Sequence, residues 1–138
     1  MKKQYCFLLA LVTLMVFPLS PVGTIHAQQT ASLEVAMGAI CQDVVNRQPI
    51  DVGNSFEASV GTLYCLTKIT GASGPAEITH VWYFGDTERA RVKLAVNSWS
   101  WRTYSSKRIQ AHEIGGWHVD VVGPGGDVLQ TMEFTITP

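Results

Sequence analysis

The sequence lacks three features that would each indicate a large class of proteins. No window between residues 33 and 138 shows the apolar spacing of one helical face, which argues against a helical domain. Positive charge is not in excess, because 10 Lys and Arg stand against 11 Asp and Glu. This balance argues against nucleic acid as a partner. No catalytic constellation is evident, so we expect neither an enzyme nor a bound cofactor.

Long apolar runs are also scarce, with one exception at the amino terminus. Lys2 and Lys3 precede an uncharged apolar stretch over 5–17, and a small residue, Ala27, ends the segment. This order is typical of a secretory signal and predicts cleavage after Ala27. The stretch is shorter than the roughly 20 apolar residues of a membrane-spanning helix, although an uncleaved anchor is the alternative. We expect the mature chain, 28–138, to work in the periplasm or outside the cell without spanning a membrane.

Cysteine is rare, and one of the three cysteines, Cys6, lies in the predicted signal. Cys41 and Cys65 remain as an even pair in a compartment where disulfides persist. We therefore predict a Cys41–Cys65 disulfide, which requires their strands to be adjacent or to face each other across the core. Two buried free thiols are the alternative.

Apolar residues alternate with polar ones through the rest of the chain, and turn signals recur between the alternating segments. Residues 33, 35, 37, 39 and 41 are predicted to share one face of the first strand, and 49–55 to form a polar connection. The pattern predicts an all-β, immunoglobulin-like β-sandwich of about seven antiparallel strands. The predicted strands are 33–41, 63–70, 78–84, 89–96, 99–107, 117–121 and 128–137.

A resemblance to a known family rests on three stretches, which read THVWYFGDTERARVKLAV, WSWRTYSSK and GGWHVDVVGPGGDVLQTMEFTIT. Their most specific marks are His80 with Trp82, the run 101–107, and Gly116 with Trp117. The mature chain resembles the family called domain of unknown function 2914. The resemblance implies a small β domain, often exported or membrane-attached, with no assigned activity.

Histidine offers little support for a metal site. His112 and Glu113 begin like a zinc-protease motif, but the second histidine that the motif needs is replaced by Gly116. His118 lies six residues after His112, in a region predicted as loop and strand. A site formed by His80, His112 and His118 stays a minor alternative, and we expect no metal.

Ser105 and Lys107 share a strand face, as a serine nucleophile and its lysine base would. Nothing near them in the sequence supplies an oxyanion site, so a hydrolase that uses Ser105 with Lys107 or a histidine is the least favoured function.

The aromatic residues suggest both a core and a surface. His80 and Trp82 share a face with apolar residues, which predicts a buried tryptophan beside a hydrogen-bonded histidine. Trp117 is also predicted in the core. Trp99 and Trp101 are ambiguous, because aromatics two residues apart form either a flat platform or part of the core.

Six cations lie within 89–108, on two strands predicted to pair with each other, so that Arg91 and Arg102 would lie close together. We expect a non-enzymatic module whose basic and aromatic surface binds a polysaccharide, an envelope component or a protein. A merely solvated face is the alternative for this surface, and a structural subunit assembled by sheet-edge pairing is the alternative function. The candidate surface is Arg89, Arg91, Lys93, Trp99, Trp101, Arg102, Tyr104, Ser106 and Lys107.

Overall fold

The structure, a computed structural model, describes residues 32–138. The predicted signal over 1–27 and Cys6 lie outside these residues. No helix in the described part of the chain is long and apolar enough to cross a membrane. The described residues form nine strands, which are β1 (Glu34–Val45), β2 (Gln48–Val52), β3 (Ser55–Glu57), β4 (Thr62–Thr70), β5 (Ala76–Phe84), β6 (Thr87–Val96), β7 (Ser100–Arg108), β8 (Gly115–Val122) and β9 (Val128–Thr137).

The strands form two sheets, and the predicted all-β sandwich is confirmed. One sheet has four strands in the order β2-β1-β4-β7, and the other has five in the order β3-β9-β8-β5-β6. All neighbours pair antiparallel except β3 and β9, which are parallel. The expected number of strands was too low, because the segment predicted as a connection over 49–55 contains most of β2 and the start of β3.

The missed hairpin, β1–β2, turns at two residues without glycine. Asn46 and Arg47 have φ values of 50° and 57°, and Val45 pairs with Gln48 on either side of them. Two consecutive residues in the left-handed region define a type I′ turn, whose twist matches that of the strands. The usual sequence signal is Asn-Gly, so an Asn-Arg turn is not recognised as a hairpin.

The core lies between the two sheets, where the strands present alternate side chains to each other. Trp117, Val119 and Val121 of β8 face it, as do Met132, Phe134 and Ile136 of β9. These faces and the buried positions of Trp82 and Trp117 agree with the predictions from the sequence. In β6 one face packs on the core through Ala90 and Leu94 and the other carries exposed cations, also as predicted.

The predicted face of the first strand is wrong, because a β-bulge between Val35 and Met37 shifts the register. Val35 packs against the core, whereas after the bulge Ile40 is the core residue. Ala39 and Cys41 therefore point to the outer face of the four-stranded sheet. An extra residue in one strand exchanges the two faces beyond it.

The predicted disulfide is also wrong, since Cys41 and Cys65 are both free and buried. Their strands are adjacent, as the prediction required, but Cys65 pairs with Ile40 and Cys41 pairs with Tyr64. Residues one position apart in register point to opposite faces of a sheet. Cys65 lies in the core, where burial raises the pKa of its thiol, while Cys41 lies on the outer face.

Candidate functional site

The predicted binding surface is divided by the fold. β6 is an edge strand of the five-stranded sheet and β7 an edge strand of the four-stranded sheet, so the predicted pairing of these two strands is wrong. Arg91 instead forms an ion pair with Glu88 of its own strand at 2.6 Å. The cations of β6 and those of β7 consequently belong to different faces of the molecule.

β7 itself has two unlike faces. Its residues 101, 103, 105 and 107 pair with the core-facing positions of β4, and its residues 102, 104, 106 and 108 pair with the outer positions. Ser105 is buried, and Trp101 packs against the core. Arg102, Tyr104 and Ser106 lie on the outer face. Of the predicted binding surface, only these three residues of β7 therefore remain together on one face.

The four tryptophans have different environments. Trp82 and Trp117 are buried, whereas the side chain of Trp99 is 64% exposed in the turn before β7. Trp101 packs against the core at the sheet edge, and the guanidinium carbon of Arg47 lies 5.0 Å from the centroid of its ring. Trp99 and Trp101 therefore do not form one flat platform.

A polar network crosses the core between the sheets. His80 of β5 is fully buried, and its Nδ1 lies 2.7 Å from Oγ of Ser105. Its Nε2 lies 3.1 Å from Oγ1 of Thr67, which in turn is 3.5 Å from the carbonyl oxygen of Thr103. Trp82 Nε1 donates to Oγ of Ser105 at 3.1 Å. The predicted buried histidine beside a core tryptophan is thus present, and Ser105 and Thr67 are its partners.

The network determines which nitrogen of His80 carries the proton. If Nδ1 carried it, Ser105 Oγ would accept from both Trp82 and His80, and its own proton would have no acceptor in the network. With the proton on Nε2, Trp82 donates to Ser105, Ser105 donates to Nδ1, and Nε2 donates to Thr67, which donates to the carbonyl of Thr103. Every donor then has an acceptor, and buried polar groups require this.

The environment of His80 favours the neutral ring. Burial lowers its pKa from 6.5 to about 4, because the interior solvates the charged imidazolium poorly. Its ring nitrogens contact two hydroxyl groups. A neutral imidazole satisfied on both nitrogens connects the two sheets as a structural link.

Ser105 and Lys107 do not contact each other through their functional groups. Ser105 Oγ is shared by His80 and Trp82 inside the core, and Lys107 Nζ donates to the carbonyl oxygen of Arg108 at 2.7 Å. The serine hydroxyl is directed away from the solvent, where a substrate would approach.

The two other histidines within residues 32–138 lie in different elements. His112 is exposed in the loop between β7 and β8, and His118 stacks on Tyr83, with ring centroids 4.6 Å apart. Residues 32–138 bring no group of three or more potential metal ligands together.

A second buried polar contact fixes the β7–β8 loop. Glu113 is 1% exposed, and its Oε1 accepts from Nη2 of Arg89 at 2.8 Å. Its backbone carbonyl accepts from Nε1 of Trp117 at 3.1 Å, while Oε2 has no hydrogen-bond partner among the described residues. Arg89, predicted to be a surface residue that binds a ligand, instead pairs with a buried carboxylate.

The outer face of β4 and β7 combines aromatic and cationic side chains. The ring centroids of Tyr64 and Tyr104 lie 6.1 Å apart, and Lys68 is paired in register with Arg102. The outward positions of the two strands, from 62 to 70 and from 100 to 108, contain no Asp or Glu. We call this surface the tyrosine face, and it consists of Tyr64, Lys68, Arg102, Tyr104, Ser106 and Arg108.

Sequence reasoning missed Tyr64 and Lys68 because it assigned the partner strand of β7 wrongly. The available signal was the alternation of 63–70, which places residues 64, 66 and 68 opposite Leu63 and Cys65. This alternation defines a second face but does not show which strand lies beside it.

The β1–β2 hairpin reaches the tyrosine face through its tip. Nη1 of Arg102 donates to the carbonyl oxygen of Arg47 at 3.2 Å and to Oε1 of Gln48 at 3.3 Å. Because β2 and β7 are at opposite edges of the sheet, these contacts require the hairpin to bend back across the outer face. Two apolar side chains of that face, Leu66 and Cys41, are fully buried.

No curated protein matches the chain. Among solved structures, the chain is similar to the crystal structure of a beta-D-glucoside glucohydrolase from Trichoderma reesei, with 9% identity and a TM-score of 0.44. The match covers 78% of this chain and 19% of that one, so this chain spans only a small part of that protein's length.

The family comparison bears on the part of the chain that holds His80, Ser105 and most of the tyrosine face. The sequence model described as "Protein of unknown function (DUF2914)" matches residues 75–136, which run from the start of β5 almost to the end of β9. The resemblance proposed from the sequence is therefore confirmed over this segment, since residues 75–136 match the DUF2914 family model.

Proposed function

We propose that the protein is an exported, non-enzymatic binding module that holds an anionic polysaccharide on its tyrosine face. The observation that carries this proposal is the combination of Tyr64 and Tyr104 with three cations on adjacent strands whose outward positions contain no carboxylate. Export rests on the leader sequence, which predicts a signal peptide.

The chemistry of the face suits a charged sugar polymer. Tyrosine rings present a flat apolar surface on which a sugar ring stacks, and their hydroxyl groups remain free to hydrogen-bond. Tyr104 is 45% exposed. Lys68, Arg102 and Arg108 supply donors for carboxylate or sulfate groups, and an arginine binds such groups with two parallel hydrogen bonds.

The buried state of Ser105 and His80 supports a function without catalysis. A general base must reach the proton that it removes from a bound substrate, whereas both ring nitrogens of His80 are occupied inside the core. The hydroxyl of Ser105 is engaged in the same network.

The binding proposal is tested by titrating the mature protein, 28–138, with polygalacturonate and with neutral dextran, using calorimetry. We expect saturable binding of polygalacturonate and none of dextran. Tyr104→Ala and Lys68→Ala should each weaken binding about fivefold, because each removes on the order of 1 kcal/mol of contact.

Lys93→Ala provides the matched control, since Lys93 is an exposed cation on the other sheet. Its affinity should equal that of the wild type. Equal losses in Lys93→Ala and Lys68→Ala would indicate general charge attraction and would contradict a site on the tyrosine face.

A structural subunit is the second candidate function, and one observation favours it. Ile50 and Val52 of the edge strand β2 are 40% and 59% exposed. An edge strand with exposed apolar residues offers backbone groups for pairing with another chain. If the protein assembles through this edge, Ile50→Lys should lower its sedimentation coefficient to that of a monomer. If the wild type is a monomer, the sedimentation coefficient should not change.

A further inference from the structure

We infer that the β1–β2 hairpin is a movable cover of the tyrosine face, and that an anionic ligand opens it by taking Arg102 from the hairpin tip. This inference rests on the proposed function and adds a conformational step to it. Three features carry it: the contacts that hold the tip, the geometry of the hairpin neck, and the apolar residues on the face that the hairpin crosses.

The tip is held by weak contacts. Arg102 donates only to neutral oxygens, the carbonyl of Arg47 and the side-chain amide of Gln48, at 3.2 and 3.3 Å. A carboxylate or sulfate adds the attraction of opposite charges and accepts two parallel hydrogen bonds from a guanidinium, which neither neutral oxygen does. A carboxylate or sulfate that reaches Arg102 therefore replaces both acceptors and leaves the tip with the contact between Arg47 and Trp101.

We place the hinge of the hairpin at Gln42 and Asp51, which we call its neck. The β1–β2 ladder pairs Cys41 with Val52 and Asp43 with Ile50, but the position between them, Gln42 opposite Asp51, is not paired. Asp51 has a φ of 53°, in the left-handed region that side-chain-bearing residues seldom adopt. Residues with unusual backbone angles often absorb a change of angle in hinges.

The hairpin crosses a face that carries buried apolar residues. Leu66 and Cys41 are 0% exposed and Ala39 is 9% exposed, although all three point away from the core between the sheets. Raising the hairpin would expose this surface beside the tyrosines. A sugar ring that stacks on Tyr64 or on Tyr104, whose rings are tilted 60° to each other, would then cover the apolar surface in place of the hairpin.

Movement of the hairpin can be followed with the two native cysteines, so no residue has to be introduced for labelling. Cys41 lies on the outer face that the hairpin crosses, whereas Cys65 lies in the core. We propose to expose the native mature protein to N-ethylmaleimide and to follow each cysteine separately by peptide mass spectrometry. Opening of the hairpin exposes Cys41 alone, and global unfolding exposes both.

We expect Arg102→Ala to increase the rate of Cys41 labelling about tenfold, because the two hydrogen bonds that hold the tip are lost. The rate for Cys65 should not change. Polygalacturonate added to the wild type should also accelerate Cys41 labelling, while dextran should not. Arg91→Ala, which removes an exposed cation from the other sheet, is the control and should label like the wild type.

Each other result contradicts a defined part of the inference. If Arg102→Ala labels Cys41 at the wild-type rate, the tip contacts do not hold a cover, whatever the ligand. If polygalacturonate binds but Cys41 labelling stays constant or slows, the binding function stands and the opening is overturned. If Arg102→Ala accelerates labelling while no polysaccharide binds, the proposed function fails, and the ligand-driven step fails with it.

Discussion

Replacing Ser105 with alanine is expected to lower the free energy of unfolding by about 2–4 kcal/mol, because it leaves two buried polar groups without partners. Nε1 of Trp82 loses its acceptor and Nδ1 of His80 loses its donor. The volume removed is one hydroxyl group, so the loss comes from polar groups left unsatisfied in the core rather than from a large cavity.

Ser106→Ala is the matched control, since Ser106 is the next residue of the same strand and is exposed on the outer face. Its effect should stay within about 0.5 kcal/mol. Urea unfolding of both variants, followed by tryptophan fluorescence, measures the difference. Equal midpoints for the two alanine variants would show that the network around Ser105 contributes nothing measurable to stability.

The same network shows what the sequence could and could not predict. Alternation along single strands correctly placed Trp82 and Trp117 in the core and suggested that His80 is buried and hydrogen-bonded. Ser105 was paired in the sequence with Lys107 of the same strand or with an unspecified histidine, and the pattern did not identify His80 as that histidine. His80 lies 25 residues away from Ser105 on the opposite sheet, and the packing of one sheet on another is not encoded in any short pattern.

Two further errors have the same origin in strand pairing. β6 and β7 are consecutive and separated by a short turn, which suggested a hairpin, but the chain passes from one sheet to the other between them. Cys41 and Cys65 are on neighbouring strands, yet a difference of one residue in register places them on opposite faces. Most of the strands are thus predictable from alternation, whereas sites formed by several strands depend on pairing and register.

Acidification is expected to destabilise the protein through His80 as the pH falls from 6.5 toward 4. The pKa of His80 is lowered by burial to about 4 in the folded state, against 6.5 when the chain is unfolded. Between these values the unfolded chain binds the proton and the folded chain does not, so stability decreases as the pH falls. Below pH 4 both states are protonated and this contribution no longer changes.

The expected loss from His80 alone is about 3 kcal/mol, since each pH unit between the two pKa values corresponds to about 1.4 kcal/mol. Carboxylates titrate in the same range, so the measurement compares urea unfolding of the wild type with that of His80→Gln at pH 7, 6, 5 and 4. Glutamine does not titrate, and the variant should be less stable at pH 7 but should depend less on pH.

A direct measurement of the protonation of the His80 ring decides whether His80 or the carboxylates cause the loss of stability in acid. The NMR shift of the His80 ring in the folded protein should change with a midpoint near pH 4, and the proton at neutral pH should be on Nε2. A midpoint near 6.5 would mean that the folded state accepts the proton as readily as the unfolded chain does. The core network would then impose no acid sensitivity, and parallel stability curves for the wild type and His80→Gln would follow.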